Sequence, residues 1–249
     1  MLTHPTIDKL RAMRLTGMAT SLEEQIQMQD TESLTFDERL GLMVDREATD
    51  RENRRLKTRL KRAKLKQNAC TEDIDYRHPR GLDKALMAKL SSCVWIKERL
   101  NLFITGPTGT GKTFLACALA QKACREGYTA QYVRLPRIFQ ELHIAKGDGR
   151  YGKILKNFAK TDLLLFDDWG LTKLTDENRH DLLEILEDRN SCGSTLITSQ
   201  FPVKDWYELI GDPTLADAIL DRIIHSAYKI ELKGDSMRKK KSKLTKSEG

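Results

Sequence analysis

The stretch GPTGTGKT at residues 106–113 restricts this chain more than any other feature. It fits the spacing GxxxxGK[ST], in which a glycine-rich turn points its backbone N–H groups at phosphate oxygens. The flanks agree. LNLFIT at 100–105 is the uninterrupted apolar run of a buried strand, and FLACALAQKAC at 114–124 reads as a helix. Strand, turn and helix in that order aim a helix N-terminus and its dipole at an anion. A glycine-rich turn with a chance Lys-Thr would lack that context. Gly106, Gly109 and Gly111 permit the tight turn. Pro107, Thr108 and Thr110 complete it, and Phe114 opens the helix. Lys112 supplies a point charge for the β- and γ-phosphates, and Thr113 a hydroxyl for Mg²⁺. Residues 106–114 are therefore the expected ATP-binding segment.

Further short apolar runs alternate with helical stretches: AQYVRL at 130–135, DLLLF at 162–166, STLITS at 194–199 and AYKIEL at 227–232. Strands alternating with helices give an α/β fold, here a five-stranded parallel sheet between helices. In DLLLFDDWG the apolar run carries Asp167 and Asp168 to the C-terminal edge of the sheet, where such folds bind ligands. Asp167 is suited to hold Mg²⁺ through water, and Asp168 to polarise an attacking water. An ordinary acidic turn is the alternative. Cys117 and Cys124 lie on the helix after the loop and read as core residues.

Residues 1–70 read as a small all-helical N-terminal domain, followed by an ATPase domain over 71–235 and a basic tail over 236–249, expected to be disordered. Ile7, Leu10 and Met13 share one helical face, and Leu22 and Ile26 another. Thr35-Phe-Asp-Glu38 is a capping box that opens a long helix carrying Leu40, Met43 and Val44. That helix continues into RENRRLKTRLKRAKLK at 51–66, where nine of sixteen residues are Lys or Arg and Glu52 is the single acid. Leu56, Leu60 and Ala63 keep an apolar stripe along it. Two fates stay open: a solvated face, or a helix whose Arg54, Arg55, Arg59 and Arg62 touch DNA phosphate. After Pro79 and Gly81 a helix is expected with Leu86 and Leu90 inward.

The formal charge of +7 suits a polyanionic partner, nucleic acid foremost, or a merely soluble basic protein. Five cysteines without a CxxC pair suggest reduced thiols in a cytosolic protein, and the five histidines lack zinc-site spacing. The N-terminus lacks a secretory pattern, and no apolar run approaches membrane-spanning length.

The phosphate loop, DLLLFDDWG and ITSQ resemble the DnaA/DnaC-like initiator group of AAA+ ATPases. HPTIDKLRAMRLTGMA, DDWG, LLEILEDR and the block TSQFPVKDWYELIGDPTLADAILDRIIHSAYKIELKGDSMRK narrow the likeness to IstB-type transposition helper ATPases, over nearly the whole chain. The resemblance implies an ATP-dependent DNA-binding ATPase. It would assemble as a homo-oligomer through ATP-bridged interfaces on double-stranded DNA, without sequence preference, and present that DNA to an IstA-type transposase in the bacterial cytoplasm. It also implies roles for single residues. Ser199 or Gln200 would be the sensor at the end of the ITSQ strand, Gln200 by its match to the Asn that commonly ends this strand. Arg222 corresponds to an arginine finger reaching the neighbouring subunit's ATP, and Arg238 to a sensor arginine within its own subunit. Each arginine could instead be a surface salt-bridge residue.

Two departures stand out. Most AAA+ proteins carry Glu where this chain has Asp168, one methylene shorter, which implies slow hydrolysis. About 17 residues follow AYKIEL, too few for a helical lid, so Arg238 would act from a short terminal element. In the initiator group a helical insertion lines the DNA face. Here PRIFQELHIAKGDGRYGKILKNFAK reads as two helices broken at Gly147-Asp-Gly149, with Lys146, Arg150, Lys153 and Lys156 as phosphate contacts or as a solvated loop. A DnaC-like replicative helicase loader is the second reading. An ATP-sensing scaffold and a metabolic kinase are further classes, the latter disfavoured for want of a substrate-binding segment.

Overall fold

A computed structural model describes residues 4–28 and 34–237. The chain divides into two compact units, Met1–Thr58 and Arg59–Gly249, so the division falls within the third helix rather than near residue 70. Arg238 and nearly all of the basic tail lie outside the described residues.

The first unit contains α1 (Pro5–Ala12), α2 (Thr16–Gln27) and most of α3 (Phe36–Ala63). Thr35 and Glu38 form the expected capping box: the Thr35 N–H donates to the Glu38 carboxylate at 2.8 Å, and the Glu38 N–H to Thr35 Oγ1 at 3.3 Å. Ile7, Leu10, Ala19 and Met43 make a small core, with Leu22 packed on it. Met13 and Ile26, which share helical faces with core residues, and Leu40 and Val44 of the long helix are exposed. A core of this size accepts about one turn from each helix, so the ends of each apolar stripe stay outside. Gly17 marks a close helix crossing, because a Cβ there would sit 2.7 Å from the Glu47 Cα. The buried Glu47 carboxylate accepts the Gly17 N–H at 2.7 Å and pairs with Arg51 and Arg54.

The second unit continues with α4 (Lys84–Ser91), α5 (Val94–Lys97), β1 (Asn101–Thr105), α6 (Lys112–Arg125) and β2 (Ala130–Arg134). Then come α7 (Leu135–Asp148), α8 (Tyr151–Ala159), β3 (Leu163–Trp169), α9 (Asp176–Arg189) and β4 (Ser194–Ser199). The last elements are α10 (Trp206–Ile210), α11 (Pro213–Ile224) and β5 (Ala227–Glu231). All five expected strands are present. They pair in parallel in the order β2-β3-β4-β1-β5. Successive side chains on a strand face opposite sides. Phe103, Leu164, Phe166 and Ile197 join one core with α7 to α11. The helix α6 packs across β1 to β4 and buries Leu115, Cys117, Leu119 and Cys124.

Two local expectations shift by a few residues. In α4 it is Met87, with Leu90, that is fully buried, while Leu86 is half-buried. The break in the insertion falls at Gly149, in the left-handed region with φ +77°, and Gly147 stays inside α7. Arg189 is buried with no carboxylate in ion-pair contact among the described residues. Its guanidinium instead donates to the carbonyls of Phe158, Thr161 and Ser194, tying the ends of α8 and α9 to the start of β4.

Trp206 is fully buried, edge-on to Phe103 and tilted against Trp169, with both ring centroids 4.9 Å away. Its indole N–H donates to the Phe201 carbonyl at 3.2 Å. It wedges α10 under the end of β3, two residues beyond Asp167. Trp206→Ala should cost about 3–5 kcal/mol of stability in denaturant unfolding. A loss below about 1 kcal/mol would mean that this wedge does not hold the β3 end.

Candidate active site and basic groove

The phosphate loop leaves β1 at the C-terminal edge of the sheet. The Gly106 N–H donates to the Ser199 carbonyl at 3.2 Å, so the loop starts bound to the end of β4. Gly106, Gly109 and Gly111 all have positive φ, at +140°, +88° and +96°. They are needed there for space as well as for conformation. A Cβ on Gly106 would meet the Leu232 carbonyl oxygen at 2.2 Å, and one on Gly109 would meet Ser236 Oγ at 2.1 Å. The buried Arg80 lies beneath the loop and donates to the Thr110 carbonyl at 3.0 Å. The Lys112 ammonium donates to the carbonyls of Gly106 at 2.6 Å and Pro107 at 2.8 Å. These are carbonyls of the very loop that would cradle phosphate. Lys112 and Thr113 open α6, so the helix N-terminus faces the cradle. This cradle and its lysine fit a nucleotide triphosphate.

Asp167, on β3, is 1% exposed. Its Oδ1 accepts the Thr113 hydroxyl at 2.9 Å and the Thr198 hydroxyl of β4. Its Oδ2 accepts the Tyr132 hydroxyl of β2 at 2.7 Å and the Lys66 ammonium at 3.2 Å. Burial pushes the Asp167 carboxyl up. The hydrogen bonds from Thr198, Tyr132 and Thr113 and the charge of Lys66 outweigh it, and the net shift is downward. Asp167 is therefore a fixed anion beside a hydroxyl, the donor set that a hard divalent cation such as Mg²⁺ takes. Burial and the hydrogen bond to Asp167 drive the Tyr132 phenol upward, so it remains a donor. Thr198, Tyr132 and Lys66 escape sequence reasoning because each looks like an ordinary strand or linker residue. Strand register reveals Thr198 and Tyr132, and the path of the segment after α3 reveals Lys66.

Asp168 has φ +66°, beside a register shift between Phe166 and Trp169 where β3 meets β4. A bulge of this kind re-aims a side chain. Asp is among the few residues that accept a left-handed conformation, and Glu is less suited to it. That gives a backbone reason for the shorter acid here. The Asp168 Oδ2 accepts Arg134 Nε at 2.6 Å. On β4 the Ser199 hydroxyl is committed, donating to the Trp169 carbonyl at 2.9 Å and accepting the Phe201 N–H at 3.1 Å. Gln200, the next residue, is exposed.

Arg222 lies near the opposite, N-terminal edge of the sheet. It sits close to the end of α11, five residues before Ala227, which pairs with Asn101 at the start of β1. Its guanidinium donates to the Ala218 carbonyl at 2.7 Å and the Glu187 carboxylate at 2.9 Å. It is therefore not part of its own chain's phosphate site.

A groove of about 1490 Å³ runs outside the edge strand β2. Lys64 and Lys66 enter it from the segment after α3, Arg134 from β2 and Arg137 from α7. Arg150, Lys153, Lys156 and Lys160 come from α8 and its flanks, and Glu141 is the one acid among the described lining residues. Lys146 instead pairs with Asp181 at 2.6 Å and Glu177 at 3.0 Å, above the Tyr151 ring. Arg150 pairs with Asp148 at 2.6 Å. Of the arginines expected on α3, Arg54 ties Thr16 and Glu47 together, Arg55 lies 4.0 Å from Glu52, and Arg62 is exposed. Arg59 donates to the Cys124 carbonyl at 2.8 Å, a cation at the C-terminal end of α6.

A parallel sheet of this order, with a phosphate loop after β1 and a buried acid on β3 bonded to Thr113, defines a P-loop ATPase of the AAA+ class. Within that class the chain belongs to the IstB-like ATP-binding protein family, whose pattern matches residues 8–245. An insertion-sequence ATP-binding protein of Sinorhizobium fredii, y4pL, is 52% identical over 239 residues, 96% of this chain and 98% of that one. The ATP-binding protein of insertion sequence IS21 from Pseudomonas aeruginosa is 28% identical over 94% of this chain and 88% of its own. Among solved structures, the DnaC helicase loader aligns with a TM-score of 0.55 at 22% identity, over 69% of this chain and 100% of that one. DnaA bound to AMPPCP and single-stranded DNA aligns at 0.55 and 20%, over 74% and 56%. At such identities these likenesses establish the fold alone. No helix among the described residues is long and apolar enough to cross a membrane.

Gly106→Ala places a methyl against the Leu232 carbonyl in a backbone conformation that L-residues avoid. It should cost about 1–3 kcal/mol in unfolding and weaken binding of a fluorescent ATP analogue. Unchanged stability and affinity would contradict the loop geometry.

Proposed function

We propose that this chain is a transposition helper that assembles on target DNA in an ATP-dependent way and presents it to a transposase. The observation that carries the reading is the basic groove on the same unit as the phosphate loop. Eight cations and one acid line it, three of the cations also being paired with Asp148, Asp167 and Asp168, with no base-reading constellation among them, which favours duplex backbone over sequence. The relatives named for insertion sequences support the transposition context, in which a transposase of the IstA type is the partner proposed. The helicase-loader reading has only a fold likeness behind it.

In this reading Lys112 exchanges the Gly106 and Pro107 carbonyls for the β- and γ-phosphates. Thr113 and Asp167 would hold Mg²⁺, whose charge would help neutralise the phosphates. Asp168 orients the attacking water once Arg134 lets go of it. Gln200 takes the sensor role, because the Ser199 hydroxyl is already engaged. Lys153 and Lys156 contact phosphate in the groove, whereas Lys146 is assigned to holding α7 against α9 through Asp181 and Glu177. Arg222 serves the neighbouring subunit after releasing Glu187, and Arg238 serves its own. A finger at one edge of the sheet and a phosphate site at the other make the subunit contact head-to-tail. Such contacts close into rings or extend as helical filaments.

Two measurements test this reading. Lys153→Ala combined with Lys156→Ala should weaken duplex binding equally for unrelated sequences and reduce the slope of log K against log salt by about 2. An unchanged slope would remove the groove from the DNA site. Arg222→Ala protein should bind ATP normally yet fail to oligomerise on DNA, and mixing it with Lys112→Ala protein should partly recover hydrolysis at mixed interfaces. If Arg222→Ala protein alone assembles and hydrolyses like the wild type, Arg222 is only the partner of Glu187.

A further inference from the structure

Two cations belong to the groove and to the ATPase site at once. Lys66 lines the groove, yet its ammonium lies 3.2 Å from the buried Asp167 Oδ2. Its side chain is 40% exposed and that of Asp167 is 1% exposed, so Lys66 reaches inward from solvent to the metal-facing carboxylate. Arg134 also lines the groove, and its Nε is 2.6 Å from Asp168 Oδ2. Its side chain is half exposed. Each carboxylate of the site is thus held by one cation that also faces the groove. Among the described residues no ion pair ties another groove cation to either carboxylate; Arg150 pairs with Asp148, and Lys153 and Lys156 sit further along α8.

We infer that Lys66 and Arg134 wire the groove to the ATPase site: a polyanion in the groove draws them off Asp167 and Asp168, freeing one carboxylate for Mg²⁺ and the other for water. The inference rests on the DNA reading of the groove proposed above. The physical basis is competition between like charges. An ammonium 3.2 Å from Asp167 Oδ2 and a divalent cation beside the same carboxylate repel each other, so binding either disfavours the other. Without phosphate in the groove, Lys66 can leave only into water. With phosphate there, it exchanges one anion for another at little cost. The guanidinium of Arg134 can make the same exchange, with phosphate oxygens as its acceptors. By linkage, DNA and Mg²⁺-nucleotide then favour each other by the same factor.

The test compares full-length wild type with Lys66→Met, Lys66→Arg and Arg134→Met. The first readout is the Mg²⁺ dependence of binding of a fluorescent ATP analogue, measured without DNA. Lys66→Met should bind the analogue at about tenfold lower Mg²⁺ than the wild type, within the usual range for coupled sites. Lys66→Arg, which keeps the charge, should stay near the wild type. Adding a 30-base-pair duplex should lower the Mg²⁺ requirement of the wild type and leave that of Lys66→Met unchanged. Arg134→Met should raise DNA-free turnover and lose most of its stimulation by the duplex. A Mg²⁺ requirement in Lys66→Met equal to or higher than that of the wild type would overturn the inference. So would equal stimulation of Arg134→Met and wild type by the duplex. The DNA-free arm needs no DNA binding, so it judges the ion-pair competition by itself. Anisotropy of the labelled duplex judges the groove: if the wild type fails to bind it, the DNA reading fails and the coupling fails with it.

Discussion

The buried carboxylate of Asp167 is the point on which the ATPase unit is organised. It stands on β3 and gathers Thr113 from α6, Thr198 from β4, Tyr132 from β2 and Lys66 from the segment after α3. A buried carboxylate without partners would cost several kcal/mol, of order 5 or more. Its four donors offset that cost and in doing so fix three strands and a helix relative to one another. The phosphate loop begins beside this cluster, because Gly106 is bonded to the end of β4, the strand between β1 and β3. The sheet order therefore sets the distance between cradle and acid.

Much of this was legible in the sequence, for a clear reason. A phosphate loop needs glycine at positions of positive φ, and buried parallel strands need uninterrupted apolar runs. Both requirements leave marks in consecutive residues. GPTGTGKT and DLLLFDD carried Lys112, Thr113, Asp167 and Asp168 to the right edge of the right strands. Tyr132 and Thr198 left no such mark. Their roles depend on parallel register between β2, β3 and β4, with Val133 opposite Phe166 and Leu165 opposite Leu196, and on which side chains alternate toward the acid. Lys66 was hidden for a different reason. Within a run of nine cations in sixteen residues, no local signal separates the one that turns inward. The exposed Met13 and Ile26 show the converse: periodicity marks a helical face but not how much of it a small core can cover.

Charge is also divided in a way that composition cannot express. Lys146, Arg54 and Arg59 are occupied by structural partners, whereas Lys64, Lys153, Lys156 and Lys160 gather beside β2. Positive side chains thus gather where an edge strand and a two-helix insertion leave a groove. That placement supports the proposed polyanion seat, and Lys66 and Arg134 of its wall contact the two carboxylates of the site.

The central claim is that residues 106–113 form the ATP cradle, with Lys112 supplying its charge. Calorimetric titration of ATP into wild-type and Lys112→Ala protein tests it most directly. Loss of a charge-assisted hydrogen bond should weaken binding by about 10- to 100-fold with the fold intact by circular dichroism. An affinity equal to that of the wild type would contradict the account, because the nucleotide would then be held elsewhere.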